Sequence, residues 1–353
     1  MTTRDTFLAE AAKRILITDG AFGTEIQNWK LDEAAYAGTL GLTHDQKGNN
    51  DILALTKPEV PESIHRAYFE AGADIAETNT FSANRISQAD YGAEHLVREI
   101  NVESAKLARR LADEYQARDA EKGIWRPRFV AGAIGPTNKT LSLSPDVNDP
   151  GYREIDFDYL KDVYREQIDA LVEGGADFIL IETVFDTLNA KAGIMAVIEA
   201  GEALGREIPI MLSMTLTDPS GRNLSGHTVE AFWHAVRHAK PLTIGLNCSF
   251  GAEQLRPHVK TLSEICDTLI MIYPNAGLPN ELGAYDEAPV TTAGLVGEWA
   301  VEGQVNVLGG CCGSTPAHIK AIADKVKGMR PRTIPTPPVI TRLAGLEPFT
   351  MAA

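Results

Sequence analysis

Cysteine is scarce in this chain, which has only four among 353 residues. Disulfide frameworks belong to small secreted domains that are dense in cysteine, whereas isolated thiols in an intracellular chain serve more often as metal ligands or nucleophiles. The low count therefore argues against a disulfide scaffold. It favours a metal-binding or catalytic role for some of the four thiols.

Long apolar runs are also missing. No stretch reaches the roughly 18 apolar residues that span a bilayer, and the polar opening at residues 1–5 lacks the features of a secretory signal. We therefore expect a soluble, cytoplasmic protein without a membrane partner.

Basic residues are outnumbered by acidic ones. The chain has 33 Lys and Arg against 48 Asp and Glu, a formal net charge of -15, and its pI is about 5.0. Binding to a phosphate backbone requires a basic face. We therefore expect no nucleic-acid partner.

Short β-branched runs alternate with longer amphipathic runs along the chain. The eight strand candidates are residues 15–19, 73–79, 129–135, 176–183, 208–216, 242–248, 269–275 and 305–312. The eight helix candidates are residues 58–71, 94–116, 157–173, 186–204, 228–238, 253–265, 292–301 and 316–326. Strict alternation predicts an α/β protein with a parallel sheet, and the number eight favours closure into a (β/α)8 TIM barrel.

The composition changes after residue 328. Residues 329–338 carry four prolines and two arginines without helical periodicity. Such a segment is typical of an extended tail or linker. We predict that the barrel spans residues 1–328 and that residues 329–353 form a proline-rich C-terminal tail or linker.

Three of the four cysteines lie where predicted strands end. Cys248 closes the sixth strand, and Cys311 and Cys312 close the eighth strand between glycines. The carboxyl ends of barrel strands share one rim, where active sites form. Cys248 alone would suit core packing, and the adjacent pair alone would suit core packing or a strained disulfide. Together the three thiols match zinc, whose catalytic sites use three protein ligands and leave one position open.

The fourth cysteine has a different setting. Cys266 falls in step with Leu255, Val259 and Leu262 on a helical stripe. This spacing predicts a small, buried apolar residue with a structural role.

A zinc ion held by three thiolates has a single net negative charge, which makes it a poor Lewis acid for a carbonyl group. A substrate thiol entering the open position would lose its proton, yet its sulfur would remain nucleophilic. A free thiol with a pKa of about 8.5 is mostly protonated at neutral pH, and metal binding removes that limit. The chemistry indicated is alkylation of a substrate sulfur.

Seven motifs follow the predicted strands: DGAFGTE at 19–25, ETNTF at 77–81, GPTN at 135–138, ET at 182–183, GLNC at 245–248, PNAG at 274–277 and GGCCG at 309–313. With these motifs the chain resembles the zinc-dependent homocysteine S-methyltransferase family over essentially its whole length. The likeness is strongest to the homocysteine-binding module of cobalamin-dependent methionine synthase. It includes the loop 144–150 and the tail 342–348, which resembles a link to a folate-binding module.

The resemblance implies a metal set. Cys248, Cys311 and Cys312 match the family's zinc ligands and act catalytically through the metal. Asn275 matches a position near the metal, where its amide oxygen would hold the fourth site until homocysteine arrives. Its alternative role is that of a turn residue before Ala276 and Gly277.

The resemblance also implies an amino-acid site. Asp19 and Glu182 match partners of the homocysteine ammonium group; their alternative roles are a tight Asp-Gly turn and a helix cap. Backbone amides at the start of the first helix would take the substrate carboxylate. Those amides belong to Ala21, Phe22, Gly23 and Thr24.

The implied reaction is methyl transfer to the thiol of L-homocysteine, giving L-methionine. The likeness to methionine synthase implies methylcobalamin on a separate corrinoid- or folate-binding partner protein as donor, whereas related single-module enzymes would use betaine or S-methylmethionine.

Two other classes of protein stay open at this point. The chain could be a non-catalytic, zinc-holding accessory subunit, which would need a closed four-ligand site, or a metal-free aldolase or phosphate-sugar barrel, which would need a strand-end lysine or a phosphate loop.

Overall fold

Eight parallel strands surround a common axis in the computed structural model, which describes residues 2–351. They are β1 (Leu16–Ile17), β2 (Ile75–Glu77), β3 (Phe129–Ile134), β4 (Phe178–Val184), β5 (Ile210–Met214), β6 (Thr243–Gly251), β7 (Leu269–Asn275) and β8 (Val307–Leu308). Neighbours pair in the order β1-β8-β7-β6-β5-β4-β3-β2. A parallel bridge from Thr18 to Ile75 joins the two ends of this order. The predicted TIM barrel is confirmed, and each strand overlaps its predicted range.

Helices cover the outside of the barrel and the loops at its rim. They are α1 (Thr3–Ala11), α2 (Phe22–Asn28), α3 (Glu33–Ala37), α4 (Leu53–Thr56), α5 (Glu59–Ala71), α6 (Arg85–Gln88), α7 (Val97–Glu121), α8 (Phe157–Glu173), α9 (Thr187–Leu204), α10 (Val229–Val236), α11 (Ala252–Ile265), α12 (Pro289–Val301) and α13 (Pro316–Val326). Short 3-10 turns occupy Asn50–Ile52, Ala89–Tyr91, Glu94–Leu96 and Arg237–Ala239. Across residues 2–351, no helix combines the length and the apolarity needed to cross a membrane.

The helix α1 closes the N-terminal end of the barrel. It was not predicted from the sequence. Its Phe7 side chain is fully buried, and the ring lies 5.1 Å from the rings of both Phe129 and Phe178. These residues belong to a separate interior cluster that continues upward through Leu180 and Met271. The interior of the lower half of the barrel is therefore largely apolar, with Thr243 at the start of β6 as a buried polar side chain.

The tail contains a hairpin that the sequence did not indicate. Its strands are β9 (Arg342–Ala344) and β10 (Pro348–Thr350), which pair in antiparallel register. The hairpin packs against α10. The backbone N–H of Thr228 donates to the carbonyl of Leu346 at 3.2 Å, and Arg222 forms an ion pair with Glu347. These contacts hold the hairpin beside the loop between β5 and α10.

Candidate metal centre and active site

Three thiols meet at the C-terminal end of the barrel. The sulfur of Cys312 lies 3.7 Å from that of Cys248 and 4.0 Å from that of Cys311, and all three sulfurs lie within 4.8 Å of one another. A tetrahedral zinc ion with zinc–sulfur bonds of about 2.3 Å places its sulfurs about 3.8 Å apart. The three thiols therefore fit one face of a zinc tetrahedron.

An irregularity in β6 turns Cys248 toward this point. The strand was predicted to end at Cys248, but this boundary is wrong because β6 continues to Gly251, with a shift in its pairing to β7 between Asn247 and Gly251. Cys248 and Ser249 have φ values of 61° and 58°, a left-handed conformation that non-glycine residues rarely adopt. Bulges and strained residues of this kind re-aim side chains next to active sites.

Two glycines allow the turn carrying the other thiols to lie against the first strand. A Cβ atom on Gly309 would come within 2.2 Å of the Thr18 side chain, and one on Gly310 within 2.2 Å of the Ser314 hydroxyl. Any larger residue would push this turn outward. The glycines thus determine how close Cys311 and Cys312 come to the barrel axis.

The thiols influence one another's ionisation. Hydrogen bonds from Cys248 and Cys311 hold the pKa of the Cys312 thiol well below its usual range. Hydrogen bonds with Cys248 and Cys312, together with burial, raise the pKa of Cys311. Without a metal, the cluster therefore favours a thiolate at Cys312 that accepts hydrogen bonds from the other two thiols. A divalent cation would take the place of the remaining protons.

Two buried asparagines brace the cluster. The amide oxygen of Asn275 accepts a hydrogen bond from the backbone N–H of Cys312 at 3.1 Å. The side-chain nitrogen of Asn247 lies 3.8 Å from the sulfur of Cys311 and donates to the Thr183 hydroxyl at 2.8 Å. Asn275, predicted to lie near the metal, is thus placed against the ligand turn.

Three carboxyl groups lie beside the thiols; those of Asp19 and Glu182 are buried and that of Glu77 is partly buried. Asp19 accepts a hydrogen bond from the backbone N–H of Glu77 at 2.9 Å, and the Thr18 hydroxyl lies 3.2 Å from the Glu77 carboxyl. The carboxyl of Glu182 lies 3.3 Å from the hydroxyl of Tyr273, which donates to it. Glu77 and Glu182 line the cavity described below, whereas Asp19 lies behind the lining residues.

No basic side chain compensates these acids. Burial raises the pKa of Asp19 and Glu77 well above the usual range, and repulsion from Glu182 raises both further. Burial also raises the pKa of Glu182 to about 7. Among residues 2–351, no lysine, arginine or histidine is a main cause of any of these three pKa shifts. The site has a deficit of positive charge, which a cationic ligand would relieve.

A cavity of about 620 Å³ opens above the thiols and the carboxyls. The predicted amide residues all line it: Ala21, Phe22, Gly23 and Thr24. The N–H of Ala21 is engaged with the carbonyl of Ser314 at 3.2 Å. No side chain caps the first turn of α2, which starts at Phe22. Its N–H groups have no acceptor within the helix.

Three residues of this site were assigned no role in it from the sequence: Glu77, Tyr273 and Asn247. Each follows inward-facing residues of its strand at a spacing of two, as Tyr273 follows Leu269 and Met271 in the interior cluster. Alternation along β2, β6 and β7 was therefore the available signal. It could not be used without knowing which face of each strand points inward.

A family comparison agrees with this geometry. The sequence profile of the homocysteine S-methyltransferase family matches residues 16–326, which is most of the chain. This range includes the three thiols, the three carboxyls of Asp19, Glu77 and Glu182, and the whole cavity lining.

Solved structures share the fold. The metallated form of the homocysteine methyltransferase MmuM from Escherichia coli is 22% identical, with 92% of this chain and 100% of that chain covered and a TM-score of 0.69. The oxidized form is also 22% identical, with 88% and 96% covered and a TM-score of 0.67. At this identity the likeness shows a common barrel architecture. Because the family profile spans most of the sequence, the chain belongs to the homocysteine S-methyltransferase family.

Proposed function

We propose that this chain catalyses zinc-dependent methyl transfer to the thiol of L-homocysteine, giving L-methionine. The observation that supports the proposal is that two sets of side chains, the thiols and the carboxyls, meet at one cavity. Three sulfurs at zinc-ligand spacing lie beside buried carboxyls that lack a basic partner. A ligand with a thiol at one end and an ammonium group at the other satisfies both.

The thiol end would meet Cys248, Cys311 and Cys312. These three cysteines would hold zinc, which would favour loss of the substrate thiol's proton to solvent and leave the sulfur nucleophilic. The new carbon–sulfur bond forms as the donor's bond to the methyl group breaks, and the bonding electron pair stays on the donor. In this scheme, no side-chain base is needed at the sulfur.

The amino-acid end would meet the carboxyls and the first turn of α2. Glu182 and Glu77 line the cavity, and Asp19 lies directly behind Glu77. An ammonium group among them would favour their ionised forms and replace mutual repulsion with attraction. The uncapped N–H groups at the start of α2 are suited to the substrate carboxylate.

We propose methylcobalamin on a separate corrinoid-binding partner chain as the donor. Large apolar side chains are exposed on the loops that follow β2, β3, β5 and β7, at the same end of the barrel as the cavity. They include Phe81, 41% exposed, Val147, 91% exposed, and Leu282, 93% exposed. Exposed apolar residues around a mouth support docking of a macromolecular donor.

A small cationic donor is the second candidate. The cavity is lined by Phe22, Phe81, Tyr91, Phe185 and Tyr273. Aromatic rings beside acidic groups suit a sulfonium or quaternary ammonium compound such as S-methylmethionine or betaine.

A zinc-holding accessory role is less well supported. In the part of the chain that the structure describes, the metal-binding group consists of three cysteines, without a fourth ligand from His, Cys, Asp or Glu. An open position is typical of a catalytic site rather than a structural one.

We assign the chemistry to the barrel, residues 1–328. Every residue of the thiol cluster and the cavity lies between Gly20 and Cys312. Residues 329–353 remain, in this proposal, a tail.

The test is a methionine assay on the zinc-loaded, purified chain with homocysteine and, in turn, free methylcobalamin, betaine and S-methylmethionine. We expect turnover with methylcobalamin. Turnover with betaine or S-methylmethionine alone would replace the proposed donor, and absence of methionine with all three donors and with a methylated corrinoid protein would refute the proposed reaction.

A further inference from the structure

The loop that follows β1 and the loop that follows β8 are joined by backbone and side-chain hydrogen bonds. The N–H of Gly310 donates to the carbonyl of Asp19, and the N–H of Ala21 donates to the carbonyl of Ser314, both at 3.2 Å. The N–H of Gly313 donates to the Thr24 hydroxyl at 3.2 Å. The first loop carries the proposed amino-acid site, and the second carries two thiols of the proposed metal site.

Tyr68 connects the same two loops from below. It lies on α5, 1% exposed, and is not part of the cavity lining. Its hydroxyl group lies 2.9 Å from the carbonyl oxygen of Ala21 and 3.0 Å from that of Ser314. One proton shared between two carbonyl oxygens holds the two loops at a set separation.

The ring of Tyr68 also explains a glycine. A Cβ atom on Gly20 would lie 2.9 Å from the ring and from the hydroxyl oxygen, and 3.0 Å from the carbonyl oxygen of Ser314. The first loop therefore rests directly on the tyrosine. Tyr68 supports this loop from beneath and ties it to the metal-ligand loop at the same point.

We propose that Tyr68 is a positioning residue that sets the distance between the amino-acid site and the thiol cluster. This inference rests on the proposed function, because homocysteine would have to span both loops. A ligand with fixed length loses affinity when its two anchor points separate. A short alkanethiol, which contacts only the metal, would not sense that separation.

The experiment compares the zinc-loaded Tyr68→Phe variant with the wild-type chain by isothermal titration calorimetry. One titrant is L-homocysteine and the other is 1-propanethiol. We expect the Kd for homocysteine to rise about tenfold, a typical effect of losing an outer-shell contact. The Kd for propanethiol and the zinc content should stay within about twofold of wild type, since the ligand cysteines are unchanged.

The matched control is Tyr115→Phe. Tyr115 is also buried, and its hydroxyl donates to Glu70 at 2.8 Å on the outer side of α5. This variant loses a phenolic hydrogen bond of the same kind, remote from both loops. We expect it to bind homocysteine as the wild type does.

A second variant tests the loop from the other side. Gly20→Ala would press the first loop away from Tyr68, and we expect a similar rise in the Kd for homocysteine. In the double variant with Tyr68→Phe, the loss of binding free energy for homocysteine should be smaller than the sum of the two single losses, because both changes act on one contact.

The outcomes are distinct. Unchanged homocysteine binding in Tyr68→Phe, or an equal loss for both thiols, would overturn the positioning role. Failure of the zinc-loaded wild type to bind homocysteine would instead refute the proposed function on which the inference rests.

Discussion

Buried acids at the two ends of the barrel differ in whether a basic side chain compensates their charge. At the N-terminal end, Asp74 has no exposed side-chain surface and pairs with Arg14 and Arg126, each at 2.7 Å. Although burial opposes ionisation, the two guanidinium groups lower its pKa. At the C-terminal end, Glu182 is also buried but has no basic partner, and burial raises its pKa to about 7.

This difference separates stability from function. A buried acid paired with two arginines has its charge compensated within the fold. Buried acids without a cation lower the stability of the folded state until a ligand supplies the positive charge. The C-terminal end contains Asp19, Glu77 and Glu182 in that state, beside three thiols. We infer that the uncompensated end is the one that binds substrate.

The largest expected effect comes from removing a thiol at the C-terminal end. Cys311→Ser should lose zinc and reduce methionine formation by more than the roughly 100-fold that loss of an outer-shell partner costs. Metal analysis and the methionine assay measure both. The matched change Cys266→Ser alters a buried thiol outside the cluster and should keep zinc; full zinc and full turnover in Cys311→Ser would refute the metal assignment.

The next effect tests the N-terminal end. Asp74→Asn leaves two arginines without their buried partner and should lower the free energy of unfolding by about 3 kcal/mol. Affinity for homocysteine should not change. Urea unfolding measures the change in stability, and calorimetry measures the affinity for homocysteine. Asp113→Asn is the control, since this exposed acid pairs with Arg109 at the surface. A loss of homocysteine affinity in Asp74→Asn would break the distinction between the two ends.

The reciprocal change at the C-terminal end should have the opposite pattern. Glu182→Gln removes a charged partner of the substrate ammonium and should cost about 2 kcal/mol of binding, or roughly 30-fold in the Kd for homocysteine. Stability without substrate should not fall, because a buried acid without a cation is replaced by a neutral group. Loss of zinc from this variant would instead indicate that Glu182 supports the metal centre.

The smallest expected effect is a pH dependence of stability, which has opposite signs for acids at the two ends of the barrel. Burial raises the pKa of Asp51, a cavity residue, from 3.8 to about 7. The native state then holds a proton that the unfolded chain releases, so stability falls as pH rises through this window. Asp51→Asn should remove about 1 kcal/mol of that decline between pH 6 and pH 7.

For Asp74, whose folded pKa is lowered, the stabilising contribution is present above pH 3.8 and disappears as pH falls. Unfolding curves measured across pH for both variants test these signs. A wild-type chain and an Asp51→Asn variant with parallel profiles between pH 6 and pH 7 would contradict the assigned burial effect.

Much of the barrel follows from local patterns. Eight apolar runs and eight amphipathic runs predicted every strand of the barrel and its eight outer helices, and Cys266 is buried at the end of α11 as its spacing indicates. The short helices α1, α3, α4 and α6 and the tail hairpin were missed. Helix α1 and the hairpin depend on contacts distant in sequence, such as Phe7 with Phe129 and Glu347 with Arg222.

The site was predictable in its chemistry but not in its supporting contacts. Three cysteines at strand ends indicated a metal centre, because sulfur ligands are few and recognisable in a sequence. Glu77 and Asn247 lie in recognised motifs but their contacts could not be inferred from them, and Tyr68 lies in no such motif. Their roles arise from which face of a strand or helix points at a loop from another part of the chain.

The most direct test of the central claim is the number of sulfur atoms around zinc, measured by X-ray absorption spectroscopy before and after addition of homocysteine. We predict that the zinc-loaded chain has three sulfur ligands, one from each of Cys248, Cys311 and Cys312, and that homocysteine raises the number to four. A count that stays at three, with homocysteine bound elsewhere by calorimetry, would contradict an open zinc position as the site of sulfur activation.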